Sequence, residues 1–147
     1  MTLIDYLDMW KVDSKLTYED LGQDAVKNAN LHAKYLEYYH KEKRKLRKLE
    51  NMMLPKLYLD KKDFYMNGPN EDTPEDWKLP AKGKVFKQDI INIETYLNAD
   101  PDLIKMKMGI GEQKAIVDAL EEMLKAISNR KWEMKNAIDF LRITSGE

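Results

Sequence analysis

The stretch Ala115-Ile116-Val117-Asp118-Ala119-Leu120-Glu121-Glu122-Met123-Leu124-Lys125-Ala126-Ile127, continued to Leu141, decides the fold class. Its apolar residues Ile116, Leu120, Met123, Ile127, Met134, Ile138 and Leu141 recur in steps of three and four, and Val117, Leu124 and Ala137 widen the stripe. One face of an α-helix has that spacing. Glu121 stands four residues before Lys125, the favourable order for a helical ion pair contributing about 0.2–0.5 kcal/mol. Gly109 and Gly111 mark the natural start, so a C-terminal helix is expected over 109–143. The stripe is wide and the rest of the chain offers little core to cover it, so Ile116, Leu120, Met123, Ile127, Met134, Ile138 and Leu141 are expected to join copies of the chain.

Working back toward the N-terminus, a second stripe runs from about Leu16 to Met53 through Tyr18, Leu21, Ala25, His32, Tyr35, Tyr39, Leu46, Leu49 and Met53. Its period is close to a heptad, which predicts a helix of coiled-coil type. Uninterrupted, it would be about 57 Å long at a rise of 1.5 Å per residue, too long to be buried in a domain of this size. Pro55 lacks an amide proton and would crowd the carbonyl of Asn51, so the helix is expected to stop or kink there. Asn67-Gly68-Pro69-Asn70-Glu71-Asp72-Thr73-Pro74-Glu75-Asp76 is rich in turn formers and acids and begins an exposed acidic loop over 67–83. Residues 84–108 read as a short helix/strand insert. Ile90, Ile93 and Leu97 suit a helix over Asp89 to Leu97, and Ile104, Met106 and Met108 alternate with Lys105 and Lys107 as in a strand. The expected fold is mainly α, with two long amphipathic helices joined by that loop and insert in a single domain, 1–147.

The 147 residues are 35% charged and 43% apolar, a balance suited to long solvated helices, and the formal net charge of -1 hides segments of opposite sign. Asp5, Asp8, Asp13, Glu19, Asp20 and Asp24 make the N-terminal end acidic. Without cysteine, disulfides and thiolate chemistry are excluded. No apolar run approaches the roughly 20 residues of a membrane span, and the N-terminus lacks the features of a signal peptide, so a cytoplasmic protein is expected.

Two basic groups are candidates for binding nucleic acid. The first is the run from Lys41 to Lys48, Lys45 included, in which Lys41, Arg44 and Lys48, spaced by three and four, form a ridge opposite Leu46 and Leu49. Such a ridge can track a phosphate backbone without sequence preference, or simply solvate a helix and complement its dipole. The second follows Pro55, where Lys56, Lys61 and Lys62 interleave with Tyr58, Phe64 and Tyr65. Cations beside aromatic faces bind unstacked bases, which favours single strands; the alternative is that the aromatics are core and the lysines merely solvent-facing.

Other features point to no chemistry of their own. His32 and His40 have no carboxylate or Cys at metal spacing, and His32 already fits the apolar seam. Gly109-Ile110-Gly111 lacks the third glycine and the strand-to-helix context of a dinucleotide site, and no phosphate loop occurs. The carboxylates of 71–76 have no apolar pocket to set them apart, so general acid–base catalysis is not expected, nor is any cofactor or metal. Met52, Met53, Met106, Met108, Met123 and Met134 are core or interface filler. A nucleic-acid binder and a coiled-coil scaffold without nucleic acid both fit the composition.

A resemblance adds to this reading. The run Leu31-His32-Ala33-Lys34-Tyr35-Leu36, the basic helical stretch ending at Leu49-Glu50, then Lys61-Lys62-Asp63-Phe64-Tyr65 before Gly68, and Tyr96-Leu97-Asn98-Ala99-Asp100 ahead of a C-terminal amphipathic helix resemble the UvsY family of recombination mediators from T-even-like phages. The order holds from about Asp13 to Leu141. The resemblance implies a non-enzymatic phage protein of DNA recombination, repair and replication. It would bind single-stranded DNA, contact a RecA-like recombinase and the phage single-strand-binding protein, and help load the recombinase on covered DNA in the infected cell's cytoplasm. It also implies a homo-oligomeric ring that depends on the C-terminal segment. The family's DNA-binding stretch maps onto Lys61 and Lys62. Leu59, Asp60 and Phe64 depart from its pattern there, and Lys56 is placed to compensate.

Overall fold

The computed structural model describes residues 1–80, 85–86 and 90–146. The expected helix start at Asp89, the 81–83 end of the acidic loop and position 84 lie outside the described residues. Helix α1 (Leu3–Asp13) opens on a capping box, with the Asp5 amide donating to the Thr2 hydroxyl at 3.2 Å and the Thr2 amide to the Asp5 carboxylate at 2.8 Å. The long stripe does not begin at Leu16. Helix α2 (Leu21–Lys48) starts where the Asp20 carboxylate accepts the amides of Gly22 and Gln23 at 3.0 and 3.2 Å. From its first turn, buried Asp24 accepts the Tyr18 amide at 3.0 Å and supports Tyr18 at φ 57, a left-handed conformation unusual for a bulky residue.

The expected interruption at Pro55 takes the form of a π-helical segment, Leu49–Met53, followed at once by α3 (Leu54–Asn67). The Leu54 amide donates to the Leu49 carbonyl, five residues back. A π turn widens the ladder where proline can neither donate nor tolerate the ordinary fit, so the helical path continues instead of stopping. Gly68, at φ 86, ends α3 with its amide on the Phe64 carbonyl at 2.9 Å.

The short helix is α4 (Ile90–Asn98). The expected strand is a correction: Leu103 to Met108 belongs to α5 (Pro101–Thr144), and no strand occurs among the described residues. Asp100 accepts the amides of Asp102 and Leu103 at 2.9 and 3.0 Å, and Pro101 occupies the first helical position. That cap and proline start the helix ahead of the glycines. Gly109 and Gly111 therefore lie inside α5.

The chain divides into two compact units, one made of residues 1–45 and 112–147 and the other of residues 46–111. The first has a core of Tyr6, Leu31, Tyr35, Ile116, Leu120, Met123 and Ile127. Polar groups fix its register. Buried Glu42 accepts Tyr6 Oη at 2.8 Å and Gln113 Nε2 at 2.6 Å, and Asn28 Nδ2 donates to the Ile127 carbonyl at 2.9 Å. Burial works against ionising Glu42, but these donors hold its carboxyl below the usual range. The second unit packs Phe64, Tyr65, Ile93, Leu97 and Leu103, with Trp77 and Phe86 against them.

Candidate nucleic-acid interface

The second basic group is largely internal. Lys61 is only 3% exposed, and its ammonium lies 3.1 Å from Asp100 Oδ2 and 2.7 Å from Asp102 Oδ2. Trp77 covers it, with the ring centroid 3.9 Å from Nζ. Tyr65 donates its hydroxyl to Asp100 at 2.5 Å, so one carboxylate receives a lysine, a tyrosine and two backbone amides. Burial disfavours the charged form of Asp100, yet those donors hold its carboxyl below the usual carboxylate range; burial and the same bond push the Tyr65 hydroxyl up.

The structure places Lys61, Phe64 and Tyr65, expected as nucleic-acid contacts, inside the fold. Lys61 is committed to two carboxylates, and Phe64 and Tyr65 are core side chains, 3% and 5% exposed. None of the three is free to meet a phosphate or a base. Lys56 is exposed, Lys62 is half-buried, and Tyr58 is half-buried with its hydroxyl on Glu94 at 2.8 Å.

The ridge fares differently. Lys41, Arg44, Arg47 and Lys48 are exposed on α2, and among the described residues none of them has a carboxylate partner within ion-pair distance. Lys45 reaches Glu42 at 3.4 Å while its own side chain stays 50% exposed. Lys43 lies 5.2 Å from the centroid of the Tyr39 ring and bonds its hydroxyl at 2.9 Å. Arg47 was legible as part of the charge run, but reading only the spacing of Lys41, Arg44 and Lys48 passes over it.

The expected assembly seam also divides. Ile116, Leu120, Met123 and Ile127 are buried within the chain's own fold, because α1 and α2 supply cover for them, and Met134 is buried as well. Ile138 is half-buried and Leu141 is 56% exposed, together with Phe140 at 64% and Ile143 at 77%. His32 is exposed and does not occupy the seam. The Lys125 ammonium sits 3.3 Å from Glu122, not from Glu121. No cluster of His, Asp and Glu able to hold a metal ion occurs among the described residues, and none of their helices is long and apolar enough to cross a membrane.

Fold and surface together define a mainly helical protein with a cationic helix face whose Lys41, Arg44, Arg47 and Lys48 have no carboxylate partner among the described residues. The chain belongs to the UvsY family of recombination, repair and single-stranded-DNA-binding proteins, whose family model matches residues 9–147. Two crystal structures of the bacteriophage T4 recombination mediator protein UvsY share its fold. Lattice type IV has a TM-score of 0.78 at 20% identity over 97% of this chain and 99% of that one, and lattice type II has 0.73 at 22% over 99% and 98%. No curated protein matches the chain.

Proposed function

We propose that this chain is a recombination mediator that grips single-stranded DNA along the exposed cations of α2. It then promotes loading of a RecA-like recombinase onto strands covered by single-strand-binding protein. Family membership supports the DNA-binding role. The observation that favours α2 as the path is that, among the described residues, Lys41, Arg44, Arg47 and Lys48 have no carboxylate partner, set against Lys61 with two. An unpaired cation exchanges small counterions for phosphate, whereas Lys61 would first have to abandon buried Asp100 and half-exposed Asp102. Lys45 adds charge beside the ridge, and Lys56 and Lys62 are secondary contacts. One subunit offers few cations, so a homo-oligomeric ring that repeats the ridge raises the effective concentration of each site. The Phe140, Leu141 and Ile143 end of α5 offers apolar surface for such an assembly.

Fluorescence anisotropy on an oligonucleotide across a salt series tests the path. Lys41→Ala with Lys48→Ala should weaken binding and flatten the salt dependence by about 0.7 per lost phosphate contact. Lys56→Ala with Lys62→Ala should do less. The reverse order moves the path to α3, and no binding by the intact chain leaves a helical scaffold as the better reading. Loading is read separately, as shortening of the recombinase's lag on covered strands.

A further inference from the structure

Two apolar surfaces of the unit formed by residues 1–45 and 112–147 are uncovered, and they have opposite shapes. Helix α1 sets Leu3, Tyr6, Met9 and Trp10 against the core. Its other side presents Ile4, Leu7 and Val12, which are 68%, 39% and 67% exposed. At 3.6 residues per turn these three span about 140° of the helix surface, with Asp8 among them. A helix held to its core by one apolar side needs no second one. Along the first half of α2 and residues 127–138 of α5 runs a groove of about 640 Å³. Ala25 and Ala29 make the hollow, Met134 and Ile138 give it an apolar wall, and Lys131 and Lys135 stand on its rim.

We infer that α1 of a second copy of this chain seats in this groove, placing Ile4 and Val12 over the alanines and Asp8 toward Lys131 and Lys135. The charges suit the fit. Asp8 has only a long, exposed contact with Lys11 at 3.8 Å, and Lys131 has no carboxylate partner among the described residues. The knob and the hollow are different surfaces of one unit, so the contact is heterologous. Contacts of that kind repeat from copy to copy and form a ring where the rotation closes, whereas self-complementary patches stop at dimers. The inference rests on the homo-oligomer proposed above and gives that ring its contact.

Two complementary variants test it. Ile4→Arg with Val12→Arg spoils the knob, and Ala29→Arg fills the hollow; all three positions are exposed, so each chain should keep its helical circular dichroism. Should Ala29→Arg unfold, Lys131→Glu with Lys135→Glu takes its place. By light scattering each variant alone should fall to monomer mass. An equimolar mixture should stop at a heterodimer, because one intact knob then meets one intact hollow and nothing further can add. A mixture that stays monomeric or regains the full mass overturns the contact, as does either variant keeping the full assembly. An intact chain that is monomeric at every concentration overturns the homo-oligomer as well.

Discussion

Lys61 carries a charge that the fold has taken inside. Replacing one member of such a buried pair leaves the other without compensation, typically at a cost of about 3–5 kcal/mol. Lys61→Ala should therefore lower stability by roughly that amount in urea melts, while the folded variant binds oligonucleotide through α2 nearly as before. A large loss of affinity in fully folded protein would restore Lys61 as a DNA contact. The pH dependence supplies a second readout. Asp100 is held below its ordinary value of 3.8, so its stabilisation is complete above that pH and disappears as pH falls through the lower folded value. The intact protein should lose stability steeply in that acid window, and the variant, lacking the cation, more gently. Nothing near Lys61 in sequence announces this burial, because its partners lie about forty positions on: the Lys61 bond to Asp102 joins residues 41 apart. Charge runs report exposure only when no distant carboxylate folds over them.

Among the elements, α5 is where local rules and tertiary context diverge. Its periodicity from Ile116 onward is plain in the sequence, but its start is not where two glycines put it. Asp100-Pro101 is the stronger signal, a capping side chain followed by a residue preset for the first turn. Six alternating residues from Leu103 to Met108 cannot distinguish a strand from one helical face; the structure buries Leu103 and exposes Ile104 and Met108. Helix α1 was equally available from its Thr2 and Asp5 capping box, yet the acidity of that end obscured it. Gly109 and Gly111 now sit in a helix interior with no heavy atom within 4 Å of an added Cβ. Glycine costs about 1 kcal/mol relative to alanine there, so Gly109→Ala with Gly111→Ala should raise stability by roughly 1–2 kcal/mol in thermal melts. A folded but disassembled double variant would mean that the glycines admit a neighbouring backbone.

At the scale of the whole chain, the unit holding Tyr6 and Tyr35 is closed by residues 112–147. Deleting residues 114–147 thus removes Ile116, Leu120, Met123 and Ile127 from a core, not merely a seam between copies. The truncated chain should lose more helical circular dichroism than the missing residues account for, while hydrogen exchange still protects Phe64, Tyr65 and Leu97. Retention of α1 and α2 at full helicity would show that the remaining residues suffice. The same discontinuity has a meaning for biosynthesis. Tyr35 leaves the ribosome roughly 90 residues before Ile127, a wait of about 5–20 s at ordinary translation rates. Throughout that interval the nascent chain displays half of a core while residues 46–111 already hold everything their own fold requires, so the middle of the polypeptide can mature before either end.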